Sequence, residues 1–308
     1  MAKEMKYQPN ILARGLVQKK TNIVGLITPD IVNPFFSKLA KGAEDIANRH
    51  RYNMLLCNTD GDPQKELAYM SVLKAKWIDG VILVAPRMNE NQILSFVKQG
   101  ISLVIADRPI EDLPVNQIWV DNVRGAYEAT THLIDLGHQK IGIITGPDNV
   151  ENNFNRVKGY RLALKTHGID FNPSCLIKGD FKFESGYKAM EKFLKMEDRP
   201  SAVFATNDLM ALGALEKAKS SGLRVPEDLA LVGFDDIMFS AFINPALTTV
   251  MQPIYELGEG AMKMLLQALN KEDQKDGVRV LTTKLIIRES CGAGRRIQLG
   301  RGKGGKIL

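Results

Sequence analysis

Short runs of β-branched and aliphatic residues alternate along most of this 308-residue chain with segments whose apolar residues recur at helical spacing. Such runs are typical of parallel strands buried on both faces, and the helices between them supply the crossovers. The predicted strands are Ile23–Thr28, Asn53–Asn58, Gly80–Ala85, Ser102–Ala106, Gln117–Val120, Ile141–Thr145, Ala202–Ala205, Leu229–Gly233 and Thr248–Met251. The predicted helices include Phe36–His50, Pro63–Trp77, Arg124–Leu136 and Asp208–Ser220. The alternation predicts an α/β protein.

An internal similarity divides these elements into two groups. Val24–Thr28 resembles Ile141–Thr145, and each of these strands opens a run of β-α units. A chain of this length can form two medium-sized domains. We therefore expect two similar lobes, each a parallel sheet sandwiched by helices. Ligands of such sheets bind at the carboxyl ends of the strands, so a cleft between the lobes is the expected binding site.

Polar residues follow nearly every predicted strand. Asp and Asn at these points can simply cap the next helix or form the turn, whereas Arg and Gln are not explained by capping. The presence of this pattern in both halves predicts a shared polar cleft. The residues concerned are Asn33, Asp60, Asp107, Arg108, Asp121, Asn122, Asn207, Asp208, Asp235, Asp236 and Gln252.

Motifs for catalysis or for nucleotide binding are not found where they would be needed. A dinucleotide site requires G-x-G-x-x-G after the first strand, but that turn reads Thr28-Pro29-Asp30. The pattern occurs at Gly300, Gly302 and Gly305, where no strand precedes it. P-loop and G-x-S-x-G motifs are missing, and the four histidines lack metal-ligand spacing. We expect a binding protein with no enzymatic activity, no cofactor and no metal.

Positive charge is concentrated at the two ends of the chain. Residues 1–20 contain five basic residues and one acidic residue, and residues 295–308 contain five basic residues and no acidic one. Because the net charge of the whole chain is +6, the body between them is slightly acidic. This asymmetry indicates a terminal contact with nucleic acid or another polyanion, the alternative being solvated tails.

The three cysteines are far apart and form no C-x-x-C motif, which is typical of a protein in a reducing compartment. No apolar run approaches the roughly 20 residues that span a membrane, and the N-terminus has no secretory core. We expect a cytoplasmic protein with no membrane partner.

A series of motifs, in unbroken order over about residues 1–290, resembles LacI-family transcriptional regulators. Each motif alone is weak, but the series is specific. It comprises YQPNILARGLVQKKTNIVGLI from Tyr7, Asn33-Pro34-Phe35-Phe36, Asp79-Gly80-Val81-Ile82, Gly137-His138, Gly146-Pro147, Arg156 with Gly159-Tyr160, Asn207-Asp208 with Met210-Ala211 and Gly213, Leu231 to Asp236, Pro245 to Val250, and Arg288-Glu289-Ser290.

The resemblance implies a periplasmic-binding-protein-like (type I) core in which three crossovers join the two lobes. We place the crossovers near Gly146-Pro147, Met251-Gln252 and Asp276-Gly277. The N-terminal lobe would comprise residues 22–147 and 251–276, and the C-terminal lobe residues 148–250 and 277–291. Residues 292–308 would be a disordered, basic, Gly-rich tail. Family members are usually homodimers.

Residues 1–21 resemble the end of the family's DNA-binding headpiece and its hinge helix. The helix-turn-helix that reads the major groove in this family is not found in the sequence. By resemblance, Leu16 would wedge into the minor groove while basic side chains contact phosphates. A helix of about ten residues is not stable alone in water, so we expect disorder here without DNA and weak operator binding. The implied DNA-contacting hinge residues are Asn10, Ala13, Arg14 and Leu16.

The similarity to sugar-binding members implies a set of ligand-binding residues. The flat C–H faces of a pyranose can stack on aromatic rings, and its hydroxyls need both donors and acceptors. We expect one or both of Phe35 and Phe36 to contact ligand. The alternatives are ion pairs for Arg108 and Arg156 and helix capping for Asn207 and Asp235. The full set is Asn33, Phe35, Phe36, Asp107, Arg108, Arg156, Phe181, Asn207, Asp235 and Gln252.

The sequence therefore predicts a repressor of carbohydrate-related genes that binds operator DNA, forms a homodimer and responds to a monosaccharide such as ribose. Such a protein would associate with the nucleoid when bound to DNA. Sugar binding would change lobe closure and hinge folding, with loss of DNA binding as the expected outcome. The alternatives are a periplasmic transport receptor, a nucleotide-dependent enzyme, and a regulator that responds to a purine or a phosphoprotein, since Arg108 and Arg156 also suit anions.

Overall fold

The computed structural model describes residues 20–111, 113–270 and 277–293 and divides the chain into two compact units. The first unit comprises the chain up to Trp119 together with the segment Ile254–Val280. The second unit runs from Val120 to Pro253 and resumes at Leu281. The hinge residues Asn10, Ala13, Arg14 and Leu16 and the predicted tail from residue 294 lie outside the described residues.

The first unit contains a six-stranded sheet with helices on its faces. The strand order is β11-β5-β4-β3-β1-β2, and the pairs from β2 to β5 are parallel. Its elements are β1 (Ile23–Thr28), α1 (Pro34–Arg49), β2 (Asn53–Asn58), α2 (Pro63–Ala75), β3 (Gly80–Val84), α3 (Glu90–Lys98), β4 (Ser102–Ala106), β5 (Asn116–Val120), α8 (Ile254–Asn270) and β11 (Val278–Leu281).

The second unit contains a second six-stranded sheet with the order β12-β10-β9-β8-β6-β7. Only the β10–β12 pair is antiparallel among the described pairs of this sheet. Its elements are α4 (Asn122–Asp135), β6 (Ile141–Thr145), α5 (Glu151–Thr166), β7 (Leu176–Lys178), α6 (Phe183–Leu194), β8 (Ala202–Ala205), α7 (Asp208–Ser220), β9 (Ala230–Asp235), β10 (Thr248–Met251) and β12 (Lys284–Ile286). Short 3₁₀ turns cover Pro173–Cys175 and Met238–Ala241. The prediction of two parallel sheets covered by helices is confirmed.

Successive strand residues pack into different cores, which explains the continuous apolar runs. In β6, Ile144 belongs to one buried cluster with α6 and α7, whereas Ile143 belongs to another with α4 and α5. The same division separates Val203 from Phe204 in β8. A strand that is apolar on both faces suits only a sheet covered on both sides.

The sequence predicted the first boundary between the units near Gly146-Pro147, and the structure has it elsewhere. The structure places it after Trp119, so α4 and β6 belong to the second unit. The physical reason is strand pairing, because β6 pairs in parallel with both β7 and β8. The later boundaries, after Pro253 and after Val280, lie within a few residues of the predicted crossovers, and α8 belongs to the first unit.

Five helices begin at an Asn or Asp whose side chain accepts a hydrogen bond from a backbone N–H of the first turn. This arrangement satisfies N–H groups that have no partner inside the helix. The capping residues are Asn33, Asp62, Asn89, Asp121 and Asn207. Among the described residues, no helix is long and apolar enough to cross a membrane.

Glycines allow α6 and α7 to approach each other at backbone distance. A Cβ atom on Gly213 would lie 1.9 Å from the carbonyl oxygen of Phe183, and one on Gly186 would lie 2.0 Å from the carbonyl oxygen of Met210. Neither oxygen can move without shifting a helix, so both positions require glycine.

Gly213→Ala should destabilise the second unit by at least about 2 kcal/mol, because the new methyl group overlaps helix backbone. Gly168→Ala is the control, since it has φ +69° and no atom within 4 Å of the added Cβ. We expect it to cost about 1 kcal/mol through backbone strain alone. Urea unfolding curves measure both, and equal losses would contradict the packing described here.

Candidate functional site

The first unit holds five of the ten predicted ligand-binding residues, at the carboxyl ends of β1 and β4. Asn33, Phe35 and Phe36 follow β1, and Asp107 and Arg108 follow β4 directly. Parallel strands bring their carboxyl ends to one edge of the sheet, so these loops lie at the same edge. We call it the first polar edge.

The two phenylalanines have different environments. Phe35 is 4% exposed and belongs to the core, whereas Phe36 is half-buried. Their ring centroids are 5.0 Å apart with an interplanar angle of 88°, an edge-to-face contact. Asn33 accepts a hydrogen bond from the backbone N–H of Phe35 at 3.0 Å. Phe36 is therefore the ring that a ligand can reach, with Phe35 supporting it.

The guanidinium of Arg108 has one donor in a hydrogen bond and another donor without a partner among the described residues. One terminal nitrogen donates to the carbonyl oxygen of Pro86, but Nε is buried with no hydrogen-bond partner among the described residues. The preceding Asp107 is 3% exposed.

The second unit holds the other five predicted residues, and Arg156 joins several of its strand ends. Arg156 is 4% exposed and donates through Nε to Asn122 Oδ1 at 2.8 Å. One terminal nitrogen donates to the carbonyl oxygen of Thr206 at 2.5 Å and lies 3.4 Å from Asp235 Oδ1. Its guanidinium carbon is 3.9 Å from the centroid of the Phe234 ring, a cation–π contact. Arg156 thus forms a buried ion pair, not one on a helix surface.

Asp235 accepts a second hydrogen bond, from Gln252 Nε2 at 2.6 Å. The other amide atom of Gln252, Oε1, is buried with no partner among the described residues. Asp235 does not cap a helix, since β9 ends with it and a short 3₁₀ turn follows. Arg156, Asp235 and Gln252 therefore form one connected buried network, which we call the second polar edge.

Asn207 and Phe181 are held together at the same edge. Asn207 caps α7 through its side-chain oxygen and donates through Nδ2 to the carbonyl oxygen of Phe181 at 2.9 Å. The half-buried Phe181 ring lies on Gly146, where an added Cβ would be 2.1 Å from Cζ. Asn207 therefore caps a helix, which was the alternative to ligand binding, and it also positions the backbone of Phe181.

Strained backbone occurs at both of these edges. Asp107, Phe181 and Asp235 have φ angles of +69°, +68° and +121°. Positive φ in a residue other than glycine costs on the order of 1–3 kcal/mol and is common at functional sites. Three predicted residues have this geometry, which also occurs at Asn22, Arg51 and Trp77 before β1, β2 and β3.

Several residues of the polar edges were not in the predicted site. In the second unit they are Asn122, Thr206 and the fully buried Asp208, and in the first unit they are Glu66 and Arg87. Asn122 and Asp208 followed strands in the sequence, and so did Arg87, which comes soon after β3. Glu66 gave no signal, because a helix residue reaches this edge only through folding.

Among the described residues, no group of three or more His, Cys, Asp or Glu side chains could hold a metal ion.

Asp208 connects α7 to the segment that follows β9. Its Oδ2 accepts hydrogen bonds from the Ile237 backbone N–H at 3.0 Å and from Ser240 Oγ at 2.6 Å, and its Oδ1 accepts one from Thr249 Oγ1 at 2.5 Å. Burial, followed by the charge of Asp235, raises the pKa of Asp208 to about 7. Burial thus favours the neutral form of this carboxyl group.

Comparisons with known proteins identify relatives of this chain. The profile of the periplasmic binding protein-like domain family matches residues 130–291. Catabolite control protein A from Priestia megaterium is 36% identical over 285 residues, which cover 92% of this chain and 86% of that protein. The structure of a complex of the transcriptional regulator CelR with cellobiose has a TM-score of 0.82 at 29% identity, covering 94% of this chain and 88% of that one. A regulator structure from Enterococcus faecium that contains ribose has a TM-score of 0.80 at 31% identity, covering 87% and 98%.

Asp208→Asn should flatten the pH dependence of stability between 3.8, the ordinary pKa of the group, and about 7. In this window the folded protein binds more protons than the unfolded chain. The free energy of unfolding therefore falls as pH rises, by at most about 1.4 kcal/mol per pH unit for this group. Urea unfolding at several pH values measures the slope. The exposed Asp170→Asn is the control and should keep the wild-type slope, and an unchanged slope in Asp208→Asn would contradict the assignment.

Proposed function

Because the chain belongs to the LacI family of transcriptional regulators, we propose that it is a repressor of carbohydrate-related genes whose effector is a monosaccharide, with ribose the first candidate. Its relatives are regulators, which agrees with the expectation that the chain is not an enzyme. The effector would be bound by the first and second polar edges, through the ten residues identified from the sequence.

One observation carries the proposal: buried polar atoms without a hydrogen-bond partner among the described residues occur at both polar edges. A buried polar atom left unsatisfied costs about 1–3 kcal/mol, so a ligand that satisfies several of them gains affinity. They include both donors and acceptors, which is the complement of a ring of hydroxyl groups. The atoms are Thr28 Oγ1, Arg108 Nε, Thr145 Oγ1 and Gln252 Oε1.

Aromatic rings at the same edges support a sugar ring as the bound group. Phe36 after β1 and Phe181 before α6 are each half-buried. Each can offer a ring face to the C–H surface of a pyranose while neighbouring Asp, Asn, Gln and Arg side chains bind its hydroxyls. The related regulators with cellobiose and with ribose show that carbohydrates occupy relatives of this fold.

A thermal-shift screen of pentoses, hexoses, cellobiose and purines tests the proposal. A ligand at about 100 times its Kd adds about 2.7 kcal/mol of stability, which raises the melting temperature by several degrees. We expect such a shift with ribose. A shift with purines and with no sugar would contradict the monosaccharide assignment and favour a purine-responsive regulator.

Arg108→Gln should abolish the ribose-dependent shift while lowering the melting temperature without ligand by only about 2–4 °C. Its side chain makes one described hydrogen bond, to Pro86, so its structural loss is about 1 kcal/mol. Asp235→Ala is a poorer test, because it leaves Arg156 buried without its carboxylate and should destabilise the protein strongly. A normal ribose response in Arg108→Gln would overturn the site assignment.

Control of DNA binding would be allosteric. For a ligand to act on operator affinity, it must bind the operator-bound and free states with different affinities. We propose induction, in which the sugar weakens operator binding through the hinge containing Asn10, Ala13, Arg14 and Leu16. Because operator DNA lies in the bacterial cytoplasm, we expect the protein to act there. Titrating operator DNA with the protein, with and without ribose, shows whether the sugar weakens or strengthens operator binding.

A homodimer is supported by exposed apolar side chains on each unit. Leu55 and Leu56 are 39% and 47% exposed on the edge strand β2, and Phe242 is 81% exposed after the 3₁₀ turn of the second unit. Exposed apolar groups of this size are typical of protein interfaces when they cluster.

Phe242→Glu should weaken the dimer by at least about tenfold, because a charge replaces an apolar contact at the interface. Phe154→Glu is the matched control, since Phe154 is 59% exposed and lies on α5, which contains none of these three residues. Sedimentation equilibrium measures both variants. The same dimer constant for Phe242→Glu and wild type would contradict this interface.

A further inference from the structure

The amino ends of the strands in the first unit carry a concentration of basic residues. These strands begin side by side, since the backbone N–H groups of Asn53 and Asp79 donate to the carbonyl oxygens of Asn22 and Ile23 at 2.8 Å. We call the segments 20–22, 49–53, 74–79 and 98–102 the amino edge. They contain six basic residues and one acidic residue, Asp79. The basic residues are Lys20, Arg49, Arg51, Lys74, Lys76 and Lys98.

The opposite edge of the same sheet has the reverse charge. The loops that follow β1, β2 and β3, residues 29–33, 59–62 and 85–89, contain three acidic residues and one basic residue. The chain between its two basic ends is slightly acidic as a whole, so the amino edge is a local concentration of positive charge. A surface of this kind attracts polyanions.

The positive charge of the amino edge is available to a partner. Arg51, Lys76 and Lys98 are exposed and make no ion pair with a residue that the structure describes. The two carboxylate oxygens of Asp79 accept hydrogen bonds from backbone N–H groups just before β1, at 2.9 and 2.8 Å. The carboxylate therefore fixes the start of the first strand and is not paired with the basic side chains.

Helix ends account for part of this charge. The helix dipole favours a cation in the last turn, which explains Arg49, Lys74 and Lys98 at the ends of α1, α2 and α3. Lys20 precedes β1, and Arg51 follows the C-cap of α1. These two cations need another explanation, because the effect of the dipole falls off within the last turn.

Two large side chains occupy turns that favour glycine. The residue after the C-cap has a positive φ at the ends of α1, α2 and α3, with values of +62° for Arg51, +56° for Trp77 and +84° for Gly100. Glycine adopts this conformation without steric cost, whereas a bulky residue there is an outlier. Arg51 is exposed, and Trp77 is 74% exposed. Packing does not account for either side chain, so we expect both to contact a partner.

The chain enters the first unit at this edge. Thr21 Oγ1 donates to the carbonyl oxygen of Trp77 at 3.1 Å, and Lys20 Nζ lies 5.1 Å from the centroid of the Tyr52 ring. The hinge residue Leu16 is only four residues before Lys20, a distance of at most about 14 Å in an extended chain. DNA held by the hinge would therefore lie next to the amino edge.

We propose that the amino edge is a second DNA-contacting surface, formed by the body of the protein and separate from the hinge. This inference goes beyond the proposed function, in which the hinge contacts the operator, and rests on it for the identity of the polyanion. Arg51, Lys76 and Lys98 would contact phosphates, and the indole N–H of Trp77 would donate to a phosphate oxygen. Such contacts add affinity and orient the duplex without reading its sequence.

Fluorescence anisotropy of a labelled duplex of mixed sequence, titrated with the full chain at several salt concentrations, tests this surface. Each phosphate contact contributes about 0.9 to the slope of log K against log salt concentration. Arg51→Gly and Lys76→Gln should each reduce this slope by about that amount. Arg51→Gly should also keep or raise the melting temperature, because glycine suits the turn. A loss of DNA binding in this variant is then not a loss of folding.

Lys38→Gln is the matched control for the salt dependence. Lys38 is exposed near the start of α1, at the opposite edge of the sheet, and forms no ion pair within the described part of the chain. The substitution removes the same charge from the same unit, so the wild-type slope should be kept. A slope reduced as much as in Lys76→Gln would show an effect of net charge alone and would overturn a localised surface.

Tryptophan fluorescence reports the contact independently of affinity. Acrylamide should quench the exposed Trp77 in the free protein, and saturating duplex should remove most of this quenching. The other tryptophan of the chain, Trp119, is half-buried in β5. Trp77→Phe isolates Trp119, and its quenching should be the same with and without DNA.

Each other outcome overturns a defined claim. DNA binding with wild-type slopes in Arg51→Gly and Lys76→Gln, and with Trp77 still quenched, would overturn this surface and leave the proposed repressor function intact. Shielding of Trp77 by inorganic triphosphate to the same extent as by duplex would overturn DNA as the partner in favour of a small anion. No DNA binding at low salt, in a chain with a normal melting curve, would overturn this surface together with the operator-binding part of the proposed function.

Discussion

The buried guanidinium of Arg156 organises the polar edge of the second unit. It reaches the start of α4 at Asn122, the end of β8 at Thr206 and the end of β9 at Asp235. Removing two ions from water costs several kcal/mol each, and a buried pair offsets this cost only when its remaining groups are hydrogen-bonded. The contacts with Asn122, Thr206, Gln252 and the Phe234 ring provide that compensation. Asp235 and Gln252 are thereby fixed before any ligand arrives.

The two polar edges differ in what they offer to a ligand. The cation of the second edge, Arg156, is paired with Asp235, and a buried amide oxygen of Gln252 is left unsatisfied there. The first edge leaves one guanidinium donor unsatisfied, Nε of Arg108. Each edge also has one half-buried phenylalanine, Phe36 or Phe181. The unsatisfied buried atoms therefore differ in kind, since one is a guanidinium donor in the first unit and the other an amide oxygen in the second.

Much of the fold could be predicted because apolar runs and helix caps are local signals. The strands β1, β2, β4, β6, β8 and β10 have the predicted bounds, and Asn33 and Asn207 cap helices as their type and place suggested. The first unit boundary could not be read locally, because the sheet that β6 joins depends on its pairing with β7 and β8. The role of Glu66 and the positive φ of Asp107, Phe181 and Asp235 also follow from tertiary contacts. Strand-end residues were therefore predictable as a set, and their division between capping, ion pairing and ligand binding was not.

Hydrogen exchange of the full chain with and without its sugar ligand tests the central claim most directly, because it reports on both polar edges in one experiment. Backbone amides in closing loops become protected when a ligand binds them. We predict added protection at residues 30–36 and 85–88 and around Arg108 in the first unit, and around Phe181, Asn207 and Asp235 in the second. The amino ends of the same strands should not change. Protection confined to one unit, or located at the amino ends of the strands, would contradict a sugar site built from both edges.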